Sequence, residues 1–298
     1  MTAILNLSWM IPGQDVCRAI MISEGVNRPL ILCDVQFFQA RYNLTFQYQE
    51  NTLMTEIVVT GASGRMGQSL IRTIAQDQQA RLSAALVRPD SPLIDKPVND
   101  ASDLNYASSE SLQELNHGVL IDFTLPEHCL NNAETWSTKG LPMIIGTTGF
   151  ERSQQERLEA LSAGSPILIS ANMSLGVNLL LNLLEVAAQS ISSDTLTSVE
   201  EWHHIHKVDS PSGTAKLIQK TLEGAGVTLS KPIEAHREGE IVGTHEVKFS
   251  TGDEIISLRH EAHDRDIFAK GALKAAHWLV SKPAGLYSIR DLLSGSSD

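Results

Sequence analysis

Between Glu201 and Ala215 the chain reads Glu201-Trp202-His203-His204-Ile205-His206-Lys207-Val208-Asp209-Ser210-Pro211-Ser212-Gly213-Thr214-Ala215. Three imidazoles and an ammonium fall within five residues. A lysine among other cations is a natural proton donor to a carbanion or an imine-like nitrogen. A histidine beside it relays the proton or holds the lysine in place. Ser212-Gly213-Thr214 forms a turn of small residues that opens a helix at Lys216-Leu217-Ile218-Gln219. Backbone N–H groups and a hydroxyl at a helix start suit a carboxylate. Cations and N–H donors side by side make a site for a small anion that must also be protonated. Close histidines also suit a metal, but no carboxylate or cysteine set at ligand spacing accompanies these, and no metal is expected. A surface loop without a role is the bland alternative, and the adjoining Ser-Gly-Thr turn argues against it.

A second chemical feature lies upstream, in Ile57-Val58-Val59-Thr60-Gly61-Ala62-Ser63-Gly64-Arg65-Met66-Gly67. It is an apolar strand, a glycine turn and a helix start, the sequence form of a dinucleotide site. Gly61, Gly64 and Gly67 let the chain turn tightly and bring N–H groups close to a pyrophosphate. Sites that prefer NADH usually carry an acid about 20 residues further on, bound to the ribose hydroxyls. Here the next strand ends Ala85-Leu86-Val87-Arg88. Without an acid at Val87 nothing repels a 2′-phosphate, and Arg88 can pair with it, assisted by Arg65. NADPH is therefore expected over NADH. Together the two features suggest hydride transfer from a nicotinamide onto a small acidic substrate.

Such residues must be held by a framework. From Met54 the pattern alternates strand and helix: a strand at 56–60, a helix from Arg65 to Ala75 and a strand from Arg81 to Val87. Three apolar runs with polar tails follow, Val119–Thr124, Pro142–Gly149 and Pro166–Asn172. Such runs suit parallel strands covered on both faces, and ligands bind at their carboxyl ends. Leu175–Gln189 is a long apolar helix, read as the passage into a second domain. The runs Leu196–Trp202, His245–Ser250 and Glu254–His260 alternate more, as an antiparallel sheet with one covered face would. A last helix, Ala269–Val280, is expected to return to the first domain.

Bulk properties narrow the partners. The 298 residues carry 35 acids against 23 bases, a net charge of −12, which argues against nucleic acid or an anionic membrane as partner. Cys17, Cys33 and Cys129 are too few and too scattered for a disulfide framework, which points to a reducing, cytoplasmic setting. No apolar run approaches the ~20 residues of a membrane span, and no secretory signal is visible. Residues 1–53 show no repeat, charge block or clear period, and carry isolated aromatics at Phe37, Phe38, Tyr42, Phe46 and Tyr48. The simplest account takes Met54 as the initiator and 1–53 as an upstream in-frame extension. A transit peptide is the alternative, weakened by Asp15, Glu24 and Asp34.

From Met54 to its end the chain resembles the 4-hydroxy-tetrahydrodipicolinate reductase (dihydrodipicolinate reductase) family of the diaminopimelate–lysine pathway. The resemblance rests, in order, on Gly61–Gly67, Asp122-Phe123-Thr124, Gly146-Thr147-Thr148-Gly149, Ala171-Asn172-Met173-Ser174-Leu175-Gly176-Val177 and the stretch His203–Ala215. It implies an α/β fold: a Rossmann-like dinucleotide-binding domain, 54–174 plus 266–298, with an inserted α+β domain, 175–265, that binds substrate and assembles a homotetramer. It implies that His203 and Lys207 transfer protons. It also implies that His204, Gly213 and Thr214, with Ser212 beside them, contact a small dicarboxylate. Gly61, Ala62, Ser63, Gly64, Arg65, Met66, Arg88, Gly146, Thr147, Thr148, Ser170, Ala171, Asn172 and Met173 fall on the path of NADPH or NADH. The implied reaction reduces (2S,4S)-4-hydroxy-2,3,4,5-tetrahydrodipicolinate to tetrahydrodipicolinate with release of water. The chain departs from the family at Val87, where members that use NADH well carry an acid, and in Arg237–His245, which is shorter than in some members.

Other readings fare less well. A short-chain dehydrogenase needs Tyr-x-x-x-Lys, and none of the four tyrosines has a lysine four residues on. Aspartate-semialdehyde dehydrogenase needs a nucleophilic cysteine, and Cys129 in Pro126-Glu127-His128-Cys129 lacks a supporting context. A nucleotide-sensing regulator would keep the glycine loop and need no proton donor.

Overall fold

The computed structural model describes residues 54–99, 103–192 and 194–295, together with strands at 3–9, 17–23 and 30–31. Residues 1–52 form one unit and 53–298 another. In the first unit, β1 (Ala3–Trp9), β2 (Cys17–Ser23) and β3 (Leu30–Ile31) pair antiparallel. The isolated aromatics of residues 37–48 lie outside the described residues.

The second unit is built on a seven-stranded sheet, every strand parallel to its neighbours. In chain order its strands are β4 (Thr55–Thr60), β5 (Ala80–Val87), β6 (Tyr106–Ser108), β7 (Val119–Asp122), β8 (Met143–Ile145), β9 (Pro166–Ile169) and, from near the chain end, β14 (Gly285–Tyr287). The spatial order is β14-β9-β8-β7-β4-β5-β6. Side chains alternate faces along a strand, and here both faces are dry. Ile57, Val59, Ile121, Ile144 and Leu168 enter one apolar layer. Val58, Leu120, Met143, Ile145 and Ile167 enter the other. This is why the sequence shows continuous apolar runs rather than alternation. The first layer is closed by α1 (Arg65–Gln76) and α6 (Ile267–Leu279). The last helix thus returns to the first sheet, as expected. The second layer is closed by α2 (Pro126–Ser137) and α3 (Arg152–Leu161).

A second sheet follows α4 (Leu175–Ser190), in the order β11-β10-β12-β13. Its strands are β10 (Leu196–His203), β11 (Glu234–Arg237), β12 (Gly243–Ser250) and β13 (Ile255–Ala262). β10, β12 and β13 are antiparallel as expected, but β11 lies parallel to β10. The reason is the connection: the chain crosses over through α5 (Gly213–Gly224) before β11, and a crossover returns a strand in the same direction. α4 and α5 cover one face, with Leu180, Leu184, Ile218 and Leu222 against Val199, Val247 and Phe249. A short helix, α7 (Ile289–Ser294), ends the described chain.

Candidate active site

At the carboxyl end of β4 the chain turns at Gly61, whose φ of +63° is the left-handed region that only glycine enters without strain. α1 then packs so close that a Cβ at Gly67 would lie 2.4 Å from the Gly61 carbonyl oxygen. Gly64 caps α1 without a side-chain hydrogen bond, which leaves first-turn N–H groups without a capping side chain and open to an anion. These features fit a dinucleotide's pyrophosphate. Behind the turn stands Asp122, buried at the end of β7. Its carboxylate accepts from Thr60 Oγ1 at 2.7 Å, Thr124 N at 2.8 Å, Thr124 Oγ1 at 2.7 Å, Asn132 Nδ2 at 2.8 Å and Thr147 Oγ1 at 3.1 Å. One aspartate thus binds the loop ends of β4, β7 and β8 together. Nearby Cys129 is fully buried, and burial, then the charge of Asp122, pushes its thiol up. It holds no thiolate for nucleophilic chemistry at neutral pH.

The second half of the site is written on three neighbouring strands. Glu201 and His203 fall on the inner face of β10, two residues apart. The β10–β12 register sets Glu201 opposite His245, and the β10–β11 register sets His203 opposite Arg237. Four polar side chains therefore meet at the end of an otherwise apolar layer. Glu201 Oε1 accepts from Ser212 N at 3.0 Å and from Arg237 Nη2 at 3.1 Å. Its Oε2 lies 3.3 Å from His203 Nδ1 and 3.6 Å from His245 Nε2. Burial works against ionising Glu201, but the adjacent His245 ring and the hydrogen bonds from Ser212 and Arg237 outweigh it and hold the carboxyl well below the usual range. Burial pushes His203 down to about 4, helped by the charges of His245, Lys207 and Arg237 and opposed by Glu201. At neutral pH the carboxylate is charged and His203 is not.

Ser212 caps α5, its Oγ accepting from Ala215 N at 3.1 Å and lying 3.1 Å from His245 Nε2. Lys207 Nζ donates to Asp209 at 2.8 Å, and that hydrogen bond holds the Asp209 carboxyl below its ordinary value. His204 is lowered by desolvation first and then by Arg265. A hydrogen bond joins the two halves: Asn172 Nδ2 donates to Thr214 Oγ1 at 3.1 Å.

A cavity of about 1010 Å³ lies between them. Of the residues expected on the substrate side, His203, His204, Lys207, Ser212, Gly213 and Thr214 all line it. Of those expected on the cofactor side, Ser63, Arg65, Met66, Gly146, Thr148, Ser170, Ala171, Asn172 and Met173 line it. Gly61, Ala62, Gly64 and Thr147 are not among the lining residues. Gly61 and Gly64 shape the turn, Ala62 is buried, and buried Thr147 bonds to Asp122. Arg88 stands apart from the lining, its side chain 76% exposed and 3.8 Å from Asp90.

Glu201, Arg237, His245, Asp209, Arg265 and Phe268 are part of the arrangement and escaped the sequence reading. For Glu201 a signal existed: alternation along β10 places it on the same face as Val199 and His203. Arg237 and His245 come from other strands, and only the register brings them in. Glu201, His203 and His245 have donor atoms within 4.8 Å of one another, the carboxylate that sequence spacing had not offered to a metal. Arg237 on the same carboxylate sets a fixed positive charge there, which works against a second cation.

Residues 55–173 match the family model described as "Dihydrodipicolinate reductase, N-terminus", and residues 176–293 match "Dihydrodipicolinate reductase, C-terminus". The chain is 38% identical over 260 residues to the 4-hydroxy-tetrahydrodipicolinate reductase of Pseudoalteromonas translucida, covering 80% of this chain and 97% of that one. It is 37% identical over 259 residues to that of Methylococcus capsulatus, covering 79% and 96%. In fold it is similar to a dipicolinate-bound dihydrodipicolinate reductase from Paenisporosarcina sp. TG-14, with a TM-score of 0.66 at 18% identity over 79% of this chain and 97% of that one. The chain belongs to the dihydrodipicolinate reductase family.

Proposed function

We propose that the chain reduces (2S,4S)-4-hydroxy-2,3,4,5-tetrahydrodipicolinate to tetrahydrodipicolinate, with loss of water, in lysine and diaminopimelate biosynthesis. One observation carries this reading: the glycine-turn residues Ser63, Arg65 and Met66 and the proton-bearing residues His203 and Lys207 open onto the same cavity. A nicotinamide dinucleotide supplies the hydride when bound. The turn Gly61–Met66, the loop Gly146–Thr148 and the segment Ser170–Met173 hold it. Ser212, Gly213, Thr214 and His204 take the substrate carboxylates. Lys207 delivers the proton from Nζ, with Asp209 fixing the ammonium, and neutral His203 supports that transfer. Residues 54–174 with 266–298 form the dinucleotide-binding domain, and 175–265 the substrate domain.

NADPH is the preferred cofactor in this reading. Val87 places no carboxylate at the end of β5, and Arg88 presents an exposed guanidinium there, only loosely paired with Asp90 at 3.8 Å. The second sheet favours a homotetramer. Its helices cover one face, and the other carries Trp202 stacked on His236 and under Arg259, with the exposed Ile255 at the far end of the same strand as Arg259. The family-model matches begin at residue 55, so removal of residues 1–53 is expected to leave turnover unchanged. Among the described residues no helix is long and apolar enough to cross a membrane.

The test couples the chain to a synthase that forms the unstable substrate from pyruvate and aspartate semialdehyde, and follows oxidation of NADPH and of NADH. Synthase-dependent oxidation is expected, faster with NADPH, and lost in Lys207→Ala while the nucleotide still binds. A chain that binds nucleotide but oxidises neither cofactor would overturn the reading in favour of a sensor. Faster use of NADH would overturn the role of Arg88 alone.

A further inference from the structure

The reductase reading leaves Glu201 without a task, although it is the least exposed carboxylate near the cavity, with a side-chain exposure of 0%. Taking a carboxylate out of water is costly unless it is paired and hydrogen-bonded, so such a group calls for an explanation. We propose that Glu201 is the positioning residue of this site: Oε2 sets the tautomer and orientation of the His203 ring, while Oε1 holds the Ser212 turn and the Arg237 arm in register with it. The proposal rests on the reductase reading for what His203 and Ser212 then do.

The geometry divides the carboxylate into two functions. Oε1 receives the Ser212 N–H at 3.0 Å, at the N-cap of the helix whose first turn faces the cavity. It also receives Arg237 Nη2 at 3.1 Å, and the same Nη2 donates to the Asp209 carbonyl at 2.6 Å. Asp209 in turn holds Lys207 Nζ at 2.8 Å. From Oε1, therefore, a chain of contacts reaches both the anion-binding turn and the ammonium. Oε2 and His203 Nδ1 are 3.3 Å apart, an ion-pair contact rather than an aligned hydrogen bond; Oε2 also faces His245 Nε2 at 3.6 Å, and both Oε2 and Nδ1 are buried without another polar partner among the described residues.

A neutral imidazole carries one N–H, and its position follows the stronger acceptor. The titratable and charged groups around His203 are Glu201, His245, Lys207 and Arg237, and only Glu201 attracts a proton to the ring. A carboxylate beside Nδ1 places the hydrogen there and leaves the Nε2 lone pair as the working end. His245 completes the cradle: its ring meets that of His203 edge-on at 5.2 Å between centroids, and its Nε2 lies 3.1 Å from Ser212 Oγ.

The test is ¹⁵N NMR of the full chain labelled at histidine, with the His203 signals assigned by their loss in His203→Asn. At pH 7.5 the wild type is expected to carry its hydrogen on Nδ1. In Glu201→Gln that preference is lost and kcat falls by about 100-fold or more, the scale set by mispositioning a proton-transferring imidazole. KM for the nucleotide stays near the wild-type value, because Glu201 touches none of the dinucleotide turn. Glu201→Asp, which keeps the charge, recovers part of the loss. An Nε2–H tautomer in the wild type overturns the proposal. So does a Glu201→Gln protein with the wild-type tautomer and a kcat reduced only in proportion to its folded fraction. If the variant does not fold, the wild-type spectrum decides alone. The spectrum needs no substrate, so failure of the reductase reading, seen as no oxidation by the wild type, is read separately.

Discussion

Two buried carboxylates stand behind the two halves of the cavity, and they are solvated by the protein in opposite ways. Asp122 is surrounded by three threonine hydroxyls, one backbone N–H and one amide, none of which changes charge in the physiological range. Glu201 is surrounded by a guanidinium, a backbone N–H and two imidazoles. The first arrangement suits a dinucleotide, which asks of the loops only a fixed shape. The second suits proton transfer, where the surroundings of one carboxylate must respond to a proton nearby. Two strand ends of one molecule thus use the same functional group, once as a rivet and once as a charge.

The comparison breaks most visibly if each carboxylate is removed. Glu201→Ala leaves Arg237 half inside the protein without its counter-charge, and a loss of about 3 kcal/mol is expected by chemical denaturation. Asp122→Asn keeps the shape but turns one acceptor into an NH2 that faces either Thr124 N or Asn132 Nδ2, while the hydroxyls can rotate to accept from it, so a smaller loss of about 1–2 kcal/mol is expected. Its consequence should be confined to nucleotide KM, measured under the coupled assay. Equal losses for the two variants would show that the distinction between rivet and charge is not energetic.

The next difference is in pH. His203 is pushed down to about 4 in the fold, below its ordinary value, so the folded chain holds fewer protons than the unfolded chain between about pH 6.5 and 4. Stability is therefore complete above that window and falls as the pH drops through it. Glu201, also held below its ordinary value, adds a loss of the same sign at the acid end. Thermal melts from pH 7.5 to 4 should show His203→Gln losing less than the wild type, by up to about 1.4 kcal/mol per pH unit within the window.

The smallest expected effect concerns the link between the halves. Thr214→Val removes the hydroxyl that accepts from Asn172 Nδ2 and leaves the rest of the Asn172 network in place, including the bond its Oδ1 accepts from Ser174 N at 2.9 Å, a cost of about 1 kcal/mol. It should raise the substrate KM a few-fold and leave the His203 tautomer untouched.

Much of this was legible in the sequence for a physical reason. The strands of the first sheet are buried on both faces, and so announce themselves as unbroken apolar runs such as Val119-Leu120-Ile121. The helices between them are harder to see. α3 buries only Leu158, and α2 only Cys129, Ala133 and Trp136, too few to draw a stripe. The His/Lys stretch was visible because its residues are adjacent. The partners that govern it were not, since Arg237 and His245 come from β11 and β12 and meet Glu201 and His203 only through strand pairing.

That pairing carries a consequence for how the molecule is made. Along β12, His245, Val247 and Phe249 are buried against the inner layer while the half-buried Glu246 and Lys248 take the opposite face. A slip of one residue against β10 would exchange the two sets. It would drive Glu246 and Lys248 into the apolar layer and take His245 away from Glu201 in the same movement. Misfolded sheets are thereby rejected twice, by the core and by the chemistry. The active site acts as a proofreader of its own scaffold, so that any chain stable enough to persist has already aligned the residues it needs.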